Sequence, residues 1–260
     1  MNIAGSTLLA TRVDLPAACD RLATLGFTRV DIGVLEGWAH LDPSRIAADT
    51  EWAIDRLRSA CRRADLEPVA FNANPGDAST DVQAERMAAL AAVGEALGVE
   101  VATVNAAPTS EPLATDLERL DRLVAAVAEY DMTLAVEGHQ GTHTENPAVA
   151  RKYVETVPGL AFTLDPGHFA IGEYWEDGSG YDPLLEHTAH VHLRQANRSN
   201  IQVLDEAGII DVDDVITRLR STGYDATLSV EYVDTLVDEE YTRLEEAARS
   251  MRGELTRALN

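Results

Sequence analysis

Runs rich in Val, Ile and Leu recur eight times along this chain, separated by longer segments of helical period or helical linkers. That alternation constrains the fold more than any other property. The eight runs are NIAGST, TRVDIGV, EPVAFNANPG, VEVATVNAA, MTLAVEGH, LAFTLDPGH, HTAHVHLRQAN and TLSVEYVD. They are nearly continuous apolar stretches, as expected of parallel strands covered on both faces. Between them, Ala53, Leu57, Ala60, Cys61 and Ala64 fall on one helical face, and Leu117, Leu120, Val124 and Val127 form another stripe. Gly26 and Gly98 stand where helices would end, and Pro147 where one would begin. A single α/β barrel takes about 250 residues, and this chain has 260. The pattern therefore predicts one (β/α)8 TIM barrel over residues 1–260 in preference to a doubly wound sheet.

In such a barrel the functional residues lie at the C-terminal ends of the strands. Four successive runs in the second half end in groups able to ligate a metal. They are Glu137 in LAVEGH, Asp165 in FTLDPGH, His192 in HVHL and Glu231 in LSVEY. Closure of the barrel would bring them to one point. Carboxylates gathered there repel one another unless a cation neutralises them. Three carboxylates and one imidazole make a hard set, suited to Mn²⁺, Mg²⁺ or Co²⁺ ahead of a structural Zn²⁺ site. His190 and His192 share a strand face by the period of two, and His192 lies nearer the C-terminal end. A divalent ion could grip a carbonyl and a neighbouring hydroxyl of a sugar, with one Glu removing the adjacent proton and a second returning it. Glu137 and Glu231 are the candidate acid–base pair.

The charge narrows the partners. The chain carries 44 acids against 21 bases, a net charge of −23, and its sole lysine is Lys152. Nucleic-acid affinity rests on Lys and Arg neutralising phosphates, so a nucleic-acid partner is not expected. Acids spread along the whole chain are compatible with a high-salt environment, where screening removes self-repulsion. No run approaches the ~18 apolar residues of a membrane span, and no signal peptide is evident. Cys19 and Cys61 sit in helical segments as scattered core residues. A cytoplasmic protein is expected, with a homo-oligomer possible.

The order and spacing of these motifs resemble the xylose-isomerase-like TIM barrels, the sugar isomerase and epimerase superfamily that also includes endonuclease-IV-type enzymes. The nearest pattern is that of ketose 3-epimerases and hydroxypyruvate isomerases, and it covers essentially the whole chain. The resemblance implies Glu137, Asp165, His192 and Glu231 as metal ligands, and His168 and Arg198 as holders of substrate oxygens. HLRQANR, with His192 and Arg198 six apart, matches the family's stretch between those two roles. It implies a metal-dependent isomerase or epimerase acting on a sugar or keto-polyol through an enediolate. A keto-inositol-type dehydratase shares that chemistry. An abasic-site endonuclease and a non-catalytic sugar-binding barrel are the weaker alternatives. His143 stands where ketose epimerases often carry another acid. Either His139 or His143 could touch substrate or merely shape the loop, and Trp38 or Phe71 could stack on a sugar.

Overall fold

The computed structural model describes residues 1–204, 207–236 and 241–260. Eight parallel strands close on themselves. They are β1 (Asn2–Ser6), β2 (Arg29–Leu35), β4 (Glu67–Asn74), β5 (Val101–Asn105), β6 (Thr133–Glu137), β7 (Ala161–Leu164), β8 (Thr188–Leu193) and β9 (Thr227–Val230). Each pairs with the next in chain order, and β1 completes the ring by pairing with both β9 and β2. The predicted TIM barrel is therefore the observed fold. A two-residue strand, β3 (Ala39–His40), is an addition that periodicity could not reveal. It folds back antiparallel on the end of β2, with Val34 opposite His40.

The helices are α1 (Leu15–Thr24), α2 (Pro43–Ala48), α3 (Thr50–Ala64), α4 (Thr80–Leu97), α5 (Leu113–Ala128), α6 (Pro147–Thr156), α7 (Pro166–Ile171), α8 (Val212–Ser221) and α9 (Tyr241–Leu259). Their starts follow capping chemistry. Asp14, Asp49, Asn146 and Asp211 each accept a first-turn backbone N–H, which satisfies donors that the helix itself leaves unpaired. α4 stops at Gly98, whose φ of 77° suits glycine. Between β7 and β8 the six-residue α7 and two 3-10 turns replace a full helix.

Strand residues alternate between two apolar environments. In β8, Val191 and Leu193 join the buried core cluster that packs helices on the barrel. His190 and His192, on the other face, are also buried but sit among polar groups. A fully buried Leu or Val side chain contributes about 1.5–3 kcal/mol, so the apolar face carries stability and the inward face is left for chemistry. Cys19 and Cys61 are free and buried, as expected of core residues. Phe71 is fully buried in the same core; its contacts are packing. Among the described residues, no helix is long and apolar enough to cross a membrane.

Candidate active site

Neighbouring strands deliver the site residues. Glu137 is the last residue of β6, Asp165 follows β7, His192 lies near the end of β8, and Glu231 follows β9. All four are almost completely buried. His192 Nδ1 lies 2.7 Å from Glu137 Oε1 and 3.5 Å from Glu231 Oε1. These three side chains each offer a donor atom within 4.8 Å of the others, a grouping able to hold a cation. Asp165 is not part of that trio, and both its oxygens accept hydrogen bonds. Oδ1 accepts the Gly167 N–H at 2.7 Å, as the cap of α7, and Oδ2 pairs with Arg194. These three residues form a candidate cation site.

Arg194 has no place in the expectations from sequence, yet it is buried at the centre of the site. One Nη bonds Asp165; the other lies 3.2 Å from Glu231 Oε2. Position 194, one residue past β8, continues the alternation of 190 and 192, so the period of two was the available signal. Arg198, by contrast, is exposed on the following loop and does not line the cavity described below. Two further residues were legible as polar interruptions of apolar strands. Asn72 in β4 donates to Glu231 Oε1 at 2.6 Å. Asp31 in β2 accepts from His190 Nε2 at 2.9 Å and stands 3.3 Å from His192 Nε2. A carboxylate behind an imidazole fixes the ring's orientation and directs its other nitrogen outward. Ser229 also reaches His190 Nε2, at 3.1 Å, so His190 belongs to the support beneath the site.

The electrostatics separate the two glutamates. Burial pushes the Glu231 carboxyl up to about 7, reinforced by Glu137 and Asp165 and opposed by His192 and Arg194. Burial pushes Glu137 up too, but His192, His139 and Arg194 together hold that carboxyl below the usual range. Asp165 is raised by burial despite Arg194. His192 resists desolvation because Glu231 and Glu137 hold its proton, and it lies well above an ordinary histidine. His168 falls well below one, chiefly through burial.

A cavity of about 270 Å³ opens onto these groups. Its polar wall includes Glu137, His168, Arg194 and Glu231; its apolar wall includes Leu8, Leu35 and Val233, with Trp38 at the rim. Trp38 is 44% exposed, well placed to meet a ligand. His139 lines the cavity and lies against His168, ring centroids 3.8 Å apart. His143 instead contacts the Glu111 carbonyl at 2.8 Å, a loop-bracing role. A larger hollow of about 430 Å³ lies beside Asn105 and Arg119. Its buried acid, Asp116, is already bonded to Ala107, Tyr153 and Arg119.

No curated protein matches the chain by sequence. Among solved structures, a D-tagatose 3-epimerase-like protein aligns with a TM-score of 0.73 at 17% identity, over 100% of both chains. The probable 3-DHS dehydratase AsbF of Bacillus anthracis aligns at 0.71 and 16%, over 97% of this chain and 99% of its own. A xylose isomerase-like TIM barrel protein from Mycobacterium smegmatis, solved in complex with magnesium, aligns at 0.78 and 14%, over 100% and 98%. At such identities these likenesses establish the fold. The family model for the xylose isomerase-like TIM barrel matches residues 19–254. With that match over most of its length, the chain belongs to the xylose isomerase-like TIM barrel family.

Proposed function

We propose that this protein is an isomerase or epimerase that moves a proton at a carbon beside the carbonyl of a neutral sugar or keto-polyol, assisted by a divalent ion. One observation carries the reading. Glu137 and Glu231 flank His192 in one water-poor site, and their proton affinities are displaced in opposite directions. Two carboxyls placed on either side of one imidazole in a buried site are suited to proton transfer. With the ion bound, one of the two carboxylates removes the carbon-bound proton and the other returns one to the carbon. Asn72 and Arg194 orient Glu231, and His192 orients Glu137. Glu137, His192 and Glu231 would hold the ion, Mn²⁺, Mg²⁺ or Co²⁺ by donor hardness. When bound, that ion supplies positive charge that stabilises an enediolate.

A neutral substrate is favoured by charge. Among the described residues lining the cavity, Arg194 is the one arginine or lysine, and it is already paired with Asp165 and Glu231. The apolar wall beside Trp38 suits the C–H face of a sugar.

The test is incubation with a panel of ketoses and keto-inositols in D₂O, with each metal supplied in turn. Deuterium should enter the carbon α to the carbonyl as the isomer or epimer accumulates. Glu231→Gln should lose about 10²–10⁴-fold in turnover while still binding the sugar. Wild-type turnover in a metal-loaded Glu231→Gln variant, or no exchange with any member of the panel, would end the proposal. Loss of water from the substrate in place of isomerisation would identify a dehydratase, which shares the first proton abstraction.

A further inference from the structure

The cavity at the carboxylates is small for a ligand site. Small-molecule sites usually enclose roughly 300–1,000 Å³, and this one encloses about 270 Å³. It does not end there. Asn105, the last residue of β5, lines both this cavity and the neighbouring hollow of about 430 Å³. Asn105 stands opposite Glu137 in the β5–β6 register, so the hollow begins one strand away from a reacting carboxylate. The backbone carbonyl of Asn105 accepts from Arg119 Nη2 at 2.9 Å. Its side-chain amide has no hydrogen-bond partner among the described residues. An amide offers two donors and an acceptor, and here they are left for a ligand that passes from one space to the other.

The hollow is preformed. Pro75 and Pro108, on the loops that leave β4 and β5, line it and fix their own φ. Arg86 donates to the Pro75 carbonyl at 2.6 Å, and Pro108 bridges to Thr142. Arg119 bonds Asp116, which in turn accepts the Ala107 N–H and the Tyr153 hydroxyl. Walls held in this way need little ordering when a ligand arrives, which lowers the cost of binding. Their charge restricts the ligand. Arg119 is paired with Asp116, whereas Asp77 and Glu111 have no cationic partner among the described residues. A phosphate or carboxylate would be repelled there. Two carboxylates and an amide suit the hydroxyls of a neutral sugar, which can donate to the former and exchange hydrogen bonds with the latter.

We propose that the substrate is larger than a monosaccharide: a ketose bearing a second, neutral glycosyl unit. The ketose lies at Glu137 and Glu231, the glycosyl unit fills the hollow, and the link between them passes Asn105. That the reacting unit is a ketose rests on the proton-transfer reading above; occupation of the hollow does not. Binding in the hollow also holds the reacting unit in register with the carboxylates, so the second unit contributes to turnover as well as to affinity.

The experiment compares fructose with four ketose disaccharides, turanose, lactulose, leucrose and isomaltulose, which carry a glucosyl or galactosyl unit on different oxygens of fructose. Calorimetric titration reads binding and the D₂O assay reads turnover, both with the divalent ion supplied. At least one disaccharide should bind about tenfold or more tightly than fructose, the ratio expected of two added hydrogen bonds. Thr115 and Thr80 line the hollow and not the smaller cavity. Thr115→Trp should fill the hollow and bring that disaccharide down to the affinity of fructose, with fructose itself unaffected. Thr80→Trp, from the α4 side, should do the same and guards against a fault peculiar to one variant. No disaccharide preferred over fructose, a preference that survives both substitutions, or a fructose phosphate ester bound more tightly than every disaccharide would each overturn the proposal. A disaccharide preference that both substitutions abolish, but with no deuterium exchange, would count against proton transfer and still support the glycosyl unit in the hollow.

Discussion

At the scale of single residues, the site is governed by burial acting on charges that cannot all be neutralised. Asp31, Glu137, Asp165 and Glu231 are buried together with Arg194 and with His192, whose proton affinity the neighbouring glutamates raise. Glu231 absorbs much of the imbalance. Its carboxyl sits at about 7 in the folded protein against an ordinary 4.5, so the folded state binds that proton more tightly than the unfolded state. The contribution to stability is fully present below about 4.5 and is lost as pH rises through about 7. In metal-free protein, wild type should therefore lose on the order of 3 kcal/mol relative to Glu231→Gln across that window. Urea unfolding with chelator present, at about pH 5 and about pH 8, measures the difference. If the two proteins keep the same gap at both pH values, Glu231 is not the residue that carries the site's surplus charge. A divalent ion should reverse the trend for wild type, because it favours the ionised carboxylate.

At the scale of elements, β8 and β6 deserve comparison, because each places chemistry on a strand end by a different device. β8 uses alternation: His190, His192 and Arg194 follow one inward face, while Val191 and Leu193 anchor the strand outward. β6 uses close packing. Immediately after Glu137 the chain passes Gly138, where an added Cβ would lie 2.8 Å from Phe162 and from Phe169. Both rings are buried and have little room to yield. Gly138→Ala should therefore cost roughly 1–3 kcal/mol by overpacking and reduce turnover by shifting Glu137 against His192. Thermal unfolding and the D₂O exchange rate check both parts. A variant with unchanged stability would show that the rings can move aside. The eight barrel strands and the long helices were legible in sequence, since each follows from period, whereas the six-residue α2 and α7 were not. β3 was not, because two residues carry no period.

At the scale of the molecule, the charge of −23 is unlike anything the site requires. Many surface ion pairs are exposed, such as Arg122 with Asp81 and Arg63 with Asp20, and pairs of that kind contribute about 0–1 kcal/mol each. Self-repulsion among the remaining acids should therefore weaken the fold at low ionic strength. We expect the melting temperature to rise from low salt towards molar KCl as the Debye length shrinks from about 30 Å to about 3 Å. A flat or falling curve would mean that the acidic surface serves solubility alone. The barrel and the convergence of Glu137, His192 and Glu231 were determined by the sequence itself, because strand period and strand-end position are local properties that closure merely brings together. Asp165 and Arg198 were decided differently. The sequence placed Asp165 at the right strand end but could not show that Arg194 would claim its free oxygen. It aligned Arg198 with a family motif but could not show that the loop would carry that side chain outward. Both outcomes turn on which groups meet across neighbouring strands. Burial then forces those groups to pair, and that pairing exists only once the barrel is closed.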